Sequence, residues 1–250
     1  MGSGLVVPDI SGNDNHGTMT NMDAATDWVQ GRHGGEGALE FDGVDDYINV
    51  GDIEGLTTGL TISAWVNTRS VIDGQDGAIL TKAAAAAIAD PYQLWGLTKL
   101  GANGATGQLQ ISISTGVPGS RKVVATAGAL VPGVWTHVCG VYDGAQLRVY
   151  FNGAQDPITT AANLTIGSND IPARIGWSGW PPGRYAGYWN GSIGTVLLYS
   201  RALSAEEIAH LYAEPYAPIW TPGERKWWWM GAAGGAYYYD HITKRIRGLI

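Results

Sequence analysis

Trp135-Thr-His-Val-Cys-Gly-Val-Tyr142, then Asp143-Gly144-Ala145, then Gln146-Leu-Arg-Val-Tyr-Phe151 is the stretch that decides the fold. Two runs rich in β-branched and aromatic residues flank an Asp-Gly pair. Glycine accepts the positive φ that tight hairpin turns require, so the spacing predicts two antiparallel strands. Asn152-Gly153 closes the second run with another turn.

Working outward, the same grammar repeats. Leu60-Thr-Ile-Ser-Ala-Trp-Val-Asn67 alternates, with Leu60, Ile62, Ala64 and Val66 on one face. Gln108-Leu-Gln-Ile-Ser-Ile-Ser114 does so strictly, as a half-buried strand should. Ala38–Asp42, Asp46–Val50, Ala78–Thr81, Tyr92–Leu97, Arg174–Trp177 and Gly194–Tyr199 read as further strands. Before them, residues 5–37 read as one weak strand and a polar turn, Asp9-Ile-Ser-Gly-Asn-Asp-Asn-His-Gly17. The Ala83–Ala87 run is too short for a stable helix and reads as a loop. One helix is expected: Ser204-Ala-Glu-Glu207 is a capping box, Ile208, Leu211 and Tyr212 supply an apolar stripe, and Pro215 ends it.

Composition agrees. Glycine is 37 of 250 residues without a collagen period, which suits many tight turns. The net charge of −7 argues against a nucleic-acid partner. That charge is uneven, since residues 221–250 carry five Lys/Arg against two Asp/Glu. The single cysteine, Cys139, excludes an intrachain disulfide and a cysteine-based zinc site. No apolar stretch is long enough to span a membrane, and residues 1–8 do not read as a signal peptide. The Asn163-Leu-Thr and Asn190-Gly-Ser glycosylation patterns then read as chance matches.

Four ordered landmarks carry a resemblance. Leu39-Glu-Phe-Asp-Gly-Val-Asp-Asp-Tyr-Ile-Asn-Val-Gly51 resembles the first core strand pair of laminin-G-like, concanavalin-A-like jelly rolls. Leu60–Val66 is similar to their second landmark, Trp135–Gly153 to their third, and Gly191–Ile208 to their closing strand and helix. The resemblance implies an all-β, antiparallel two-sheet jelly-roll sandwich over residues 1–213. One short C-terminal helix closes it, and residues 214–250 form an aromatic and basic extension. It also implies ligand binding on a concave face or in rim loops. It does not fix function, because this fold hosts lectins, adhesion modules, glycosidases and virion proteins.

Glu40 and Asp42 share one strand face, as a carboxylate pair for glycoside hydrolysis would. The glucanase branch of the family, however, carries Glu-x-Asp-x-x-Glu on a different strand, and the last acid here is Asp45. Turn stabilisation is the commoner reading of these acids, and no nucleophilic triad can be argued from the scattered histidines. No catalytic residue is assigned. For calcium, Asp9, Asp14, Asp42 and Asp45 sit in the densest oxygen-rich turns. The paired-calcium loops of pentraxin-like relatives are not reproduced, because the corresponding loops offer only Asp90. A single structural calcium remains as the cofactor expectation.

The loop Ser178–Ala186 and its flanks bring together Trp177, Trp180, Arg184, Tyr185 and Tyr188. With Asp90 these are the candidate ligand-binding residues, since aromatic faces stack on sugars and Arg binds carboxylates or hydroxyls. Loop packing on the sandwich rim is the competing reading. Trp65 and Trp135 read as core residues. In the extension, Trp220, Arg225, Trp227, Trp228, Trp229, Tyr237, Tyr238 and Tyr239 would be an aggregation liability unless covered. They are expected to anchor the chain to other subunits as a homo-oligomer. Pro215-Tyr-Ala-Pro-Ile-Trp220 resembles the segment that succeeds laminin-G-like domains in phage proteins. The expectation is a non-catalytic virion component, a capsid decoration, head-fibre or tail protein, presenting a sandwich to a cell-surface glycan. The alternatives are a free, extracellular lectin-like module and a glycoside hydrolase of the same fold.

Overall fold

The structure, a computed structural model, describes residues 5–32, 37–72, 76–83, 91–101, 106–178 and 187–215, with the backbone of 237–240 and 245–248. In chain order the strands are β1 (Val6–Val7), β2 (Gly17–Thr20), β3 (Trp28–Gln30), β4 (Gly37–Asp42), β5 (Tyr47–Asn49) and β6 (Leu60–Thr68). There follow β7 (Gly77–Ala83), β8 (Gln93–Lys99), β9 (Gln108–Ile113), β10 (Lys122–Ala129), β11 (Thr136–Tyr142) and β12 (Gln146–Phe151). The set closes with β13 (Ala154–Gln155), β14 (Thr160–Ala161), β15 (Ala173–Ile175), β16 (Asn190–Tyr199), helix α1 (Ala205–Ala213), β17 (Tyr237–Asp240) and β18 (Arg245–Gly248).

Two antiparallel sheets form the sandwich, as the sequence pattern and the resemblance anticipate. One is eight-stranded, in the order β1-β2-β5-β15-β7-β8-β9-β10. The other runs β13-β12-β11-β6-β16-β4-β3, with β14 also on β12. Their non-sequential order marks crossovers between the sheets. The hairpin β11–β12 turns at Asp143, whose Oδ1 accepts from the backbone N–H of Ala145 at 2.9 Å and of Gln146 at 2.7 Å, and Gly144 takes φ +89°.

Period two then decides what meets in the middle. Leu60, Ile62, Ala64 and Val66 of β6 face the core together with Val138 and Tyr142 of β11. From the eight-stranded sheet come Leu80, Trp95, Leu97, Leu109, Ile111, Ile113 and Ile175. Gly140 is a point of close approach, since a Cβ there would lie 2.9 Å from Ile111 Cδ1. Lys82 and Lys99 occupy the same inward row as Trp95 and Leu109. Both are fully buried along their stems. Lys82 Nζ ends on Asp52 and on the carbonyl of Ile53, and Lys99 Nζ donates to the carbonyl of Ser70 at 2.9 Å.

The outer face of the sheet that holds β11 and β12 is also covered. Cys139, Val141 and Tyr150 pack under Leu203, just before α1, and under Ile208 and Leu211 of the helix's apolar stripe. Ser204 caps the helix with the full capping box. Of two expected core residues, one needs correction. Trp65 is buried as expected, on this outer face beneath Arg32 and Tyr212, because β6 points its even residues inward between the sheets. Trp135 precedes β11 and is only half-buried, because the sandwich core starts beyond it at Val138.

The chain divides into two compact units, Met1–Pro215 and Tyr216–Ile250. In the second, β17 and β18 pair antiparallel, with Tyr238 opposite Arg247 and Tyr239 opposite Ile246. No helix among the described residues is long and apolar enough to cross a membrane.

Candidate functional site

The outer face of the eight-stranded sheet is polar where the other outer face is covered. Arg174 of β15 lies there, directly between Asn49 of β5 and Thr81 of β7. The residues that leave β15 and those that lead into β16 are both tied to β7. The carbonyl of Trp177 accepts from Thr81 Oγ1 at 3.1 Å, and the N–H of Ala78 donates to the carbonyl of Gly187 at 2.9 Å. Gly176, at φ +87°, allows the bend, and a Cβ there would strike the Phe41 ring at 2.4 Å.

This pinning assembles an aromatic cluster. Trp177 stacks on Tyr188 with ring centroids 5.4 Å apart and planes at 6°. Tyr47 meets Trp177 at 4.9 Å, tilted by 50°. The Arg174 guanidinium carbon lies 4.7 Å from the Trp177 ring and 6.0 Å from that of Tyr47. Burial raises the Tyr188 hydroxyl above its ordinary pKa, with Asp45 adding to the effect.

Asp45 belongs to an acidic turn beside the cluster. Carboxylate oxygens of Asp42, Asp45 and Asp46 all lie within 4.8 Å of one another. The turn itself is an Asx turn: Asp42 Oδ1 accepts from the N–H of Val44 at 2.7 Å and of Asp45 at 3.3 Å. Asp46 is buried and accepts from the N–H of Asp42 at 2.9 Å. Burial, reinforced by Asp42, Asp27 and Asp45, pushes its carboxyl up to about 6 despite that hydrogen bond. Hard oxygen donors at this spacing suit a divalent cation such as calcium.

Beside Ser178 and Gly187 is a small notch of about 30 Å³, enough for one water- or hydroxyl-sized group. Asp76, Gln93, Thr98, Gln110, Arg121 and Ser178 line it. The Gln93 amide is held in place, since Ser112 Oγ donates to its Oε1 at 2.7 Å. The face therefore offers an aromatic surface, a guanidinium, an acidic turn and a polar notch.

Of the expected ligand-binding residues, Trp177 and Tyr188 are brought together here, while Asp90, Trp180, Arg184 and Tyr185 lie outside the described residues. Tyr47 and Arg174 complete the cluster and stand outside the expected set. The sequence does carry a signal for one of them: in Arg174-Ile-Gly-Trp177 an inward Ile175 leaves Arg174 outward by alternation. Asp42 and Asp45 are brought together with Asp46. Asp9 and Asp14 belong to no group of three potential metal ligands among the described residues. Asp9 instead organises its own turn, accepting from the N–H groups of Ser11 at 2.8 Å and Asn15 at 2.9 Å. A second carboxylate group, Asp52, Glu54 and Asp170, escapes sequence reading because its members come from distant segments. Glu40 lies on the opposite sheet, held by Arg69 at 2.6 Å and by the Ser192 hydroxyl. In the extension, Trp220, Arg225 and Trp227–Trp229 lie outside the described residues, and Tyr237–Tyr239 form the backbone of β17.

The laminin-G family model of the concanavalin A-like lectin/glucanases superfamily matches residues 42–209. The chain belongs to this superfamily. Similar solved structures place the same fold in varied settings. Domain 4 of AbnA, an extracellular arabinanase from Geobacillus stearothermophilus solved with arabinotriose, is similar at TM-score 0.57 and 19% identity, over 78% of this chain and 87% of that one. The binding domain of Paraclostridial Mosquitocidal Protein 1 is similar at TM-score 0.59 and 17% identity, over 96% of this chain and 60% of that one. Trypanosoma rangeli sialidase, solved with sialic acid, gives TM-score 0.56 and 19% identity, over 87% of this chain and 32% of that one. At these identities the likeness establishes the jelly-roll fold. Among curated proteins no sequence match reaches significance.

Proposed function

We propose that this superfamily member is a non-catalytic carbohydrate-binding module whose ligand lies on the outer face of the eight-stranded sheet. The observation that carries the reading is the Tyr47–Trp177–Tyr188 cluster with Arg174, set beside a hydroxyl-sized polar notch. Sugars need both an apolar ring surface and converging hydrogen-bond groups. The AbnA domain solved with arabinotriose and the toxin binding domain are in keeping with it. One structural calcium at Asp42, Asp45 and Asp46 belongs to the same proposal. A glycosidase reading is weaker, because Glu40 is engaged by Arg69 and Ser192 on the other sheet. The test is binding of the full chain to a broad glycan array, with Tyr47→Ala and Trp177→Ala as variants. Binding that drops about tenfold or more in both variants supports the reading. Silence across the array, or binding indifferent to both variants, refutes it.

The division into two units favours a second element of the proposal. Residues 216–250 anchor the chain to other subunits of a phage particle, and the sandwich is presented outward, with a cell-surface glycan as its ligand. The alternative of a free, extracellular module is separated by one experiment: a chain lacking 216–250 should fail to join particles and to self-associate. Unimpaired assembly of the truncated chain would refute the anchor.

A further inference from the structure

Arg174 differs from three other guanidinium groups of the sandwich. Arg69 pairs with Glu40 at 2.6 Å, Arg148 with Asp143 at 2.6 Å, and Arg201 forks onto Glu207 at 2.9 and 2.7 Å. Among the described residues Arg174 has no such carboxylate. Its Nε is enclosed without a hydrogen-bond partner, and its two Nη groups, also unpartnered, remain open to solvent. The groups near enough to bear on its charge are the phenols of Tyr47 and Tyr188. The rings of Trp177 and Tyr47 give it cation–π contact, which attracts the charge but leaves the directional N–H donors unused.

A half-buried cation with an unused fork, fixed by aromatic packing, is preorganised for a planar anion. Two coplanar Nη groups match the two oxygens of a carboxylate, which gives a bidentate, charge-assisted pair. Lysine cannot reproduce that geometry. The surroundings select the rest of the ligand. Tyr188 lies within electrostatic reach of both Arg174 and Asp45, so a cation and an acidic turn share this face. A ligand that puts its anion on Arg174 and neutral hydroxyls toward Asp45 or the notch suits both charges.

Resting on the reading of this face as a saccharide site, we propose that it takes a saccharide bearing a carboxylate, held end-on by the Nη pair of Arg174. Tyr47 and Trp177 abut the sugar ring, and the Gln93–Gln110 notch receives a hydroxyl. Arg174 is then the residue that sets specificity, and the aromatic residues supply contact.

The experiment uses the full chain on neutral, carboxylated and sulfated glycans, including oligogalacturonate and its carboxyl-reduced form, and sialyllactose and lactose. Binding of a carboxylated glycan at least about tenfold tighter than its neutral counterpart is expected, with loss in R174Q and partial retention in R174K. Thermal unfolding of each variant separates lost binding from lost folding. If R174Q does not fold, the comparison of each glycan with its neutral form on the unaltered chain decides. Equal binding of neutral forms, preference for sulfate esters alone, or binding untouched in folded R174Q would overturn the carboxylate assignment and leave the saccharide reading standing. No binding to any glycan overturns both.

Discussion

Asp46 and His137 are buried groups whose protons act on the fold in opposite senses. His137 lies under Tyr212 and Trp65, with Nε2 2.8 Å from Ser63 Oγ. Burial first, and then the positive charge of Arg32, lower its pKa from 6.5 to about 4. Its contribution is therefore present above pH 6.5 and is lost as pH falls toward 4, by roughly 3 kcal/mol. Asp46 is raised from 3.8 to about 6, so its contribution is present below pH 3.8 and is lost as pH rises through 6. Between pH 4 and 6 the two act against each other. Chemical denaturation of Asp46→Asn should show stability falling steadily from pH 6.5 to 4, and His137→Asn should show it rising. Parallel pH curves for both variants would contradict these assignments. If calcium occupies the turn, it should raise the unfolding midpoint of the unaltered chain at pH 7 and have no such effect on Asp45→Asn. Little of this is legible in the sequence. Asp42 and Asp45 can be read as turn acids, but the burial of Asp46 depends on how its strand packs. Arg174 is hard to single out, because a lone cation on a three-residue strand stands next to a far denser aromatic loop.

At the scale of the element, α1 is readable and its place is not. Ser204 and Glu207 form the reciprocal cap that the sequence spells out. Replacing Ser204 with Ala should lower stability by about 1 kcal/mol, since Glu207 N–H loses its partner. Ile208→Ala should cost more, about 2–5 kcal/mol, because Ile208 is fully buried against the outer face of β11 and β12. Equilibrium unfolding of both variants measures this order, and a larger loss for Ser204→Ala would contradict the packing. A hint of the location exists in β11, where Cys139 and Val141 are apolar on the face that a half-buried strand gives to solvent. Strand β10 is hidden from sequence reading, because the alanines and glycine that make up half of Lys122–Ala129 have low strand propensity. Pairing along β9 supplies what its local sequence does not.

For the whole molecule, the question is which part of the chain the fold needs. Both apolar clusters and the helix that seals the outer face draw on residues within Met1–Pro215. The strand pattern makes the sandwich legible because alternation over many strands leaves few ways to bury every apolar face. The extension carries no such pattern: Trp227–Trp229 and Tyr237–Tyr239 are runs, and a run does not say which side is to be covered. A two-stranded sheet such as β17–β18 is marginal by itself in water, since it has too little apolar surface to bury. Its order must then draw on something beyond its own hydrogen bonds. A chain ending at Pro215 should therefore unfold cooperatively, with a stability within about 0.5 kcal/mol of the full chain at low concentration. A peptide of residues 216–250 should show no cooperative transition of its own. Concentration separates the remaining terms, because subunit association stabilises by mass action and makes the midpoint rise with protein concentration. That rise is expected for the full chain and absent after truncation. A truncated chain that unfolds well below the full chain at every concentration would instead mean that the extension completes the sandwich, and its anchoring role would fall.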